Sequence, residues 1–253
     1  HFAVGESLTG GAGTDGIVLT DATTVDFQTG TLATIETLTG SGLDDDVTMS
    51  ATQFVDFTTI DLAAGTDILN VFADNSDISA SGLPVVSNVE TGNLVGDGAN
   101  NSITLTGAQL DAIIQGTGTI DLGAGASDTI NITSTSVDLS ALGGNNVFGG
   151  ASVDTAIQGV ENISASTATA GVSIFIVDQS EDITLTGSGF NDVLAGGLGD
   201  NVINAGVGGD LVAGLGGADT IDGGDGNDSI FLLNGDFAAG ESLTGGAGTD
   251  SLI

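Results

Sequence analysis

GSGFNDVLA GGLGDNVIN AGVGGDLVA GLGGADTID GGDGNDSIF runs without a break from Gly187 to Phe231. Written in nines, it places Asp192, Asn201, Asp210, Asp219 and Asp228 sixth, and Leu194, Ile203, Val212, Ile221 and Ile230 eighth. Both rules hold through five consecutive units. The glycines permit the positive φ of a tight loop and bring backbone carbonyls close together. The three residues after each sixth place read as a short strand with one inward apolar side chain. One such unit buries too little to stand alone, whereas stacked units bury a continuous row of Leu, Val and Ile.

The chain as a whole has a charge problem. Its 253 residues include 34 acidic side chains, one His at position 1, and neither Lys nor Arg, for a formal net charge of −34. No internal salt bridge can offset this beyond the terminus, and self-repulsion opposes a compact state. Disorder is one outcome of such a sequence. With 40% hydrophobic and 13% charged residues, however, the chain is too apolar for a solvated polyanion. Cations recruited from outside are the better reading. The lack of basic residues excludes ordinary nucleic-acid binding and argues against anionic membranes. No apolar run is long enough for a membrane span. Without Cys there are neither disulfides nor thiolate metal sites. The chain opens on His1 without a signal-peptide pattern, as an excerpt or a processed product would.

The five units resemble the Gly-Gly-x-Gly-x-Asp-x-apolar-x repeats of RTX proteins. The resemblance covers Gly187 to Phe231. It implies an all-β fold, a right-handed parallel β-roll or β-solenoid with Ca²⁺ in the turns, regular here and degenerate upstream. Two units would make a turn of about 18 residues. Loops on one edge would then stack with Ca²⁺ between them, held by carbonyl oxygens and sixth-place carboxylates, the hard ligands this ion takes. Carried over, one edge holds Asp192, Asp210 and Asp228, and the other holds Asn201 and Asp219. Gly187, Gly189, Gly196, Gly214, Gly216 and Gly223 complete the implied metal loops. The first edge should bind more tightly, because Asn201 offers a neutral oxygen. Ala205 departs from the pattern at the first place, Ser188 and Leu215 at the second, and Phe190 at the fourth. The alternative is plain Gly/Asp turns without metal, with the charge left uncompensated.

Upstream the register weakens. GDGANNSIT from Gly96, GAGASDTIN from Gly123 and ALGGNNVFG from Ala141 keep it, with Asn101, Asp128 and Asn146 sixth and separations of 27 and 18. GSGLDDDVT from Gly40 and LAAGTDILN from Leu62 carry Asp45 and Asp67 out of phase. Segments such as VDFTTIDL, SITLTG, TINIT, VSIFIV and DITLTG alternate as strands do. A turn or two of helix is expected only within Ala108 to Gly116. Glu36, Glu90 and the VENIS stretch from Val160 read as further coil starts, Glu36 and Glu90 lying 54 residues apart as three coils of 18 would. The expected division is 1–34 as the end of one unit and the start of a solenoid, 35–186 as a degenerate solenoid or β-sandwich, 187–231 as the regular roll, and 232–253 as the start of the next unit.

The two ends repeat each other. FAVGESLTGGAGTD, Phe2 to Asp15, and FAAGESLTGGAGTD, Phe237 to Asp250, agree at 13 of 14 positions with an offset of 235. Each ends in a clean unit, which adds Asp15 and Asp250 to Asp128 as candidate metal residues. The match reads as a window on a longer array, or as two uses of one segment. At about 18 residues per coil such a period would hold roughly 13 coils.

Catalysis has poor candidates. A triad needs a positioned base and the single His is terminal; phosphate loops need Lys or Arg. Asp44, Asp45 and Asp46 offer paired carboxylates, but there is no Trp or Tyr to hold a sugar against them. The expectation is a secreted, non-enzymatic, calcium-binding structural protein of an extracellular surface layer, filament or matrix. RTX proteins usually leave the cell by type I secretion. Self-association, as a homopolymer or tandem array, is expected, with cell-surface polysaccharide as a candidate partner. The alternatives are the calcium-binding stalk of an adhesin or ice-binding protein, and the C-terminal RTX region of a secreted protease or lipase.

Overall fold

A computed structural model describes residues 2, 4–133, 137–138, 157–177, 179–233 and 239–253. The chain is a β-solenoid of about 10 turns. Among the described residues every strand pairing is parallel except that of Thr91 and Gly92 with Gly116 and Gln115. A β-sandwich is thereby excluded, since its sheets would be antiparallel. Each coil is too short to bury its own apolar side chains, so the core forms only by stacking.

Up to Ile157–Gln158 the chain visits three sheets in turn. One begins with Ser7–Thr9 and Thr31–Ala33, the second runs from Gly16–Val18 to Val85–Ser87, and the third from Thr24–Asp26 to Ile157–Gln158. An eight-stranded sheet, from Ser76–Asp77 to Ser242–Thr244, then takes the first sheet's place in the sequence of coils. A six-stranded sheet, from Val137–Asp138 to Ser251–Leu252, takes the second's. From Asn162–Ser164 onward the third face is gone, and the chain alternates between the last two sheets. A three-sided solenoid thus becomes a two-sided roll well before Gly187.

Two short helices stand where one sheet has ended and its successor has not begun. These are α1, Ala51–Asp56, and α2, Gly107–Ile113. Both open with a reciprocal capping box, Ser50 with Gln53 and Thr106 with Gln109, which satisfies two free backbone donors at the start of each helix. Gln53 also donates to the carbonyl of Phe27 and Gln109 to that of Ile78. Each glutamine so ties its helix to the coil below. The helices are followed by the same Thr-Ile-Asp-Leu, at Thr59–Leu62 and Thr119–Leu122, so the upstream part carries its own internal repeat. The expectation of helix near Ala108 holds; α1 was not expected.

One apolar cluster runs the length of the stack. The eighth-place residues Leu194, Ile203, Val212, Ile221 and Ile230 are all buried in it, beside Leu185 and Ile163 from the coils below. Upstream, Leu38, Ile60, Leu69, Leu94, Ile103 and Ile130 continue the rows, widened by Met49, Phe54, Leu110 and Ile113 around the helices.

Among the described residues, coils of 18 residues occur only in the regular roll and in the strand Thr184–Thr186 that leads into it. Upstream, stacked positions lie 20 to 37 residues apart. The third face, the two helices and longer loops add residues without changing the vertical spacing of the strands. The estimate of 13 coils per period is therefore too high. Glu36 and Glu90 are not three coils apart on one row either: Glu36 precedes Thr37–Thr39 and Glu90 precedes Thr91–Val95, strands of different sheets. The two copies of the terminal repeat stand in the same phase of the coil. Ser7–Thr9 and Ser242–Thr244 lie on the first face, Gly16–Val18 and Ser251–Leu252 on the second. No helix among the described residues is long and apolar enough to cross a membrane.

Candidate metal centre

The sixth-place side chains form vertical rows at the loop edges. In the roll, the N–H of Asp192 donates to Oδ1 of Asp210 at 2.7 Å, that of Asp210 to Asp228 at 2.8 Å, and that of Asp228 to Asp250 at 3.1 Å. On the opposite edge Asn201 N–H donates to Asp219 Oδ1 at 2.8 Å. The two edges read from the sequence are the two edges of the structure. Asn101 and Asp128, which share the nine-residue register, also stack, Asn101 N–H donating to Asp128 Oδ1 across 27 residues. Asn146 lies outside the described residues.

The rows reach further than the nine-residue register does. Asp45 N–H donates to Asp67 Oδ1 at 2.7 Å, and Asp67 N–H to Glu90 Oε2 at 2.8 Å. Asp15 N–H donates to Glu36 at 2.8 Å and Asp128 N–H to Glu161 at 2.6 Å. The three glutamates at the expected coil starts therefore fill the aspartate's place, their extra methylene spanning to the coil below.

A second ladder, not foreseen, runs beside the first in the opposite sense. Fifth-place side chains accept from the coil above: Asn191 from Gly209 N–H at 2.9 Å, Asp200 from Ala218 at 2.7 Å, and Asn227 from Thr249 at 2.8 Å. Asp44 and Asn100 do the same upstream. Its signal was legible as Asn or Asp at the fifth place of three of the five regular units.

One oxygen of each inner carboxylate thus holds the coils in register. The other has no partner at Asp67, Asp128, Asp210, Asp219 and Asp228. These groups are deep: Asp67 and Asp219 are 0% exposed and Asp210 is 2% exposed. A buried carboxylate oxygen without a donor carries an uncompensated desolvation cost. Burial pushes the carboxyls of Asp210 and Asp219 up to about 6. The carboxylates of Asp192 and Asp228 add to this at Asp210, against the backbone hydrogen bond from Asp192. Burial likewise raises Asp67, with Glu90, Asp45 and Asp44 as further like charges.

The first-place glycines make room for these carboxylates. A Cβ on Gly223 would meet Asp228 Oδ2 at 2.8 Å, one on Gly187 would meet Asp192 Oδ2 at 2.6 Å, and one on Gly214 would collide with Asp219. Gly196 faces Asn201 in the same way, at 3.1 Å. Gly189 and Gly216 are different: open space surrounds the first, and the second faces Leu198 rather than a carboxylate. Among the described residues no three acidic or histidine side chains converge on one point. A cation at these loops would therefore draw on backbone carbonyls as well as on the free Oδ2 atoms. The donor set is all oxygen, which suits a hard divalent ion.

No protein-family model matches the chain, and no curated protein matches it.

Proposed function

We propose that the chain is a non-catalytic, calcium-stabilised structural solenoid of an extracellular layer, filament or matrix. The observation that carries this reading is the row of buried carboxylates with one oxygen engaged and the other free. In a protein without Lys or Arg, no basic side chain can neutralise that row, and at neutral pH a cation from solution is left to do so. The likeness to RTX repeats points the same way.

In this reading Asp210, Asp219 and Asp228 keep the coils in register through Oδ1 and offer Oδ2 to the ion. Bound calcium would supply positive charge between stacked loops. Extracellular calcium modules bind with dissociation constants of about 10⁻⁴ to 10⁻³ M. At tenfold saturation each site adds roughly 1.4 kcal/mol, so several sites together match a domain's net stability of about 5–15 kcal/mol. Folding would then be withheld at low calcium and released outside the cell. The matching phase of the two terminal repeats supports in-line assembly, covalent or between protomers, with an axial period of about 50 Å from coils stacked about 4.8 Å apart.

Circular dichroism tests the calcium reading directly. Chelation should remove most of the β-sheet signal and added calcium should restore it; a spectrum indifferent to excess chelator would refute it.

A further inference from the structure

The inner carboxylates fall into two kinds, and the second residue of the loop decides which. At Asp67, Asp210, Asp219 and Asp228 the second place is Ala63, Gly206, Leu215 and Gly224, all left-handed with φ of 71°, 108°, 72° and 92°. Ala63 and Leu215 hold this conformation at a steric cost that glycine does not bear. The N–H at that place is turned out of the loop: Ala63 donates to Asp61 Oδ1 at 3.0 Å, and Gly224 to Asp222 Oδ1 at 3.2 Å. In the loop of Asp128 the left-handed residue is Gly123, at the first place of its unit, and it donates to Asp121 in the same way. Every one of these loops leaves Oδ2 bare.

The loops of Asp45 and Asp192 are built the other way. Their second residue is a serine, Ser41 or Ser188, and neither is left-handed. Ser188 N–H donates to Asp192 Oδ2 at 2.6 Å, and its hydroxyl lies 2.8 and 3.0 Å from the two carboxylate oxygens. Ser41 N–H and hydroxyl meet Asp45 Oδ2 at 2.7 and 3.0 Å. Each serine Oγ in turn accepts an N–H two residues on, from Phe190 or Leu43, at 3.1 Å. Both loops read Gly-Ser-Gly-x-x-Asp, and each holds the first carboxylate of its row: below Asp45 and Asp192 stand Thr23 and Val172, which contribute only an N–H.

We infer that Ser41 and Ser188 are built-in substitutes for the cation. They close the loops of Asp45 and Asp192 on themselves, so that each row starts on a coil that takes no ion. The ions go to the left-handed loops, which include Asp67 and Asp128 upstream. The inference rests on the calcium reading above and narrows it, taking Asp192 out of the ligand set and bringing Asp67 in.

Counting bound calcium on the whole chain, by native mass spectrometry with equilibrium dialysis, tests it. Asp192→Asn should leave the count unchanged, whereas Asp67→Asn and Asp228→Asn should each lose at least one ion. Ser188→Gly and Ser41→Gly, which free the loop to adopt the left-handed form, should each gain one. Ser188→Ala keeps the N–H in place and should gain none. A loss in Asp192→Asn equal to that in Asp228→Asn, or no gain in either glycine variant, would overturn the inference while leaving the calcium reading intact. A wild-type chain that binds no calcium would instead bring down the calcium reading itself.

Discussion

The upstream and downstream parts of the solenoid build the same edge on different coils. Upstream, a coil has up to three sides and successive ladder residues lie 21 to 33 positions apart. In the roll it has two sides and the separation is 18. In both, an acidic side chain accepts the N–H of the ladder residue one coil below. The register is therefore set by the ladder and not by residue count. Any insertion is tolerated that brings the next carboxylate back over the last, as α2 does between Asn101 and Asp128. What differs is the interior. The roll has one inward residue per strand, whereas the three-sided part adds Met49, Phe54, Leu110 and Ile113. The roll should lean more heavily on charge neutralisation, and the upstream part on burial.

Calcium removal should separate the two parts most strongly. As free calcium falls, amides of 187–231 should lose hydrogen-exchange protection before those of the strands Asp46–Ser50, Ile68–Phe72 and Thr91–Val95. Simultaneous loss would mean that the larger upstream core gives no independent support. The next largest effect is expected from the core itself. Phe54 is fully buried in α1, and Phe54→Ala should cost about 3–5 kcal/mol. Urea titrations should show that cost to be the same at two saturating calcium concentrations, since Phe54 lies in the apolar cluster. A cost that shrinks with calcium would contradict the division of labour.

The sixth- and eighth-place rules make the roll, its two edges and its buried row legible from residues alone, because an 18-residue coil leaves no slack for a different alignment. Upstream the same chemistry is written less regularly. Glu36, Glu90 and Glu161 stand in for aspartate, and a longer side chain hides the equivalence. Helix α1 carried a readable capping box in Ser50 and Gln53, but only six residues follow the cap, too few for a helical period to show. Which carboxylates are satisfied was written in the sequence only as a serine at the second place, Ser41 and Ser188, whose bonds to Asp45 and Asp192 show only in the folded loop.

Protonation and calcium should act on the roll in the same direction. Burial pushes the carboxyls of Asp210 and Asp219 up to about 6 in the folded chain, from an ordinary 3.8. The fold therefore favours their protonated forms. Their contribution is fully present below pH 3.8 and is lost as pH rises through 6. Asp61, Asp77 and Asp97 are held below the ordinary value by hydrogen bonds and oppose this at lower pH. In chelator, the residual β-sheet signal should thus grow as pH falls from 7 toward about 4.5; with saturating calcium the pH dependence should flatten. Asp210→Asn removes the same charge permanently. It should stabilise the chain in chelator and weaken it in calcium, and a variant that loses stability in both would show that Asp210 acts only through its hydrogen bond.

The smallest effect compares the two helix caps. Gln109 is buried and its Nε2 donates to Ile78 at 2.7 Å, while Gln53 is half-buried and donates to Phe27 at 2.8 Å. Both side chains also accept the N–H of their cap residue, Thr106 at 2.9 Å and Ser50 at 3.0 Å. Replacing either with Ala leaves that N–H without its partner, while the carbonyls of Phe27 and Ile78 keep the N–H of Gly30 and Ser81. At Gln109 water cannot reach the vacated groups, so the full cost of an unmade bond, about 1–3 kcal/mol, should appear. At Gln53 solvent can replace part of the loss, and about 1 kcal/mol is expected. Thermal melts in calcium of Gln109→Ala and Gln53→Ala measure the difference. Equal shifts would mean that the helices are held by their apolar faces alone, with the glutamines serving only to mark where each helix begins.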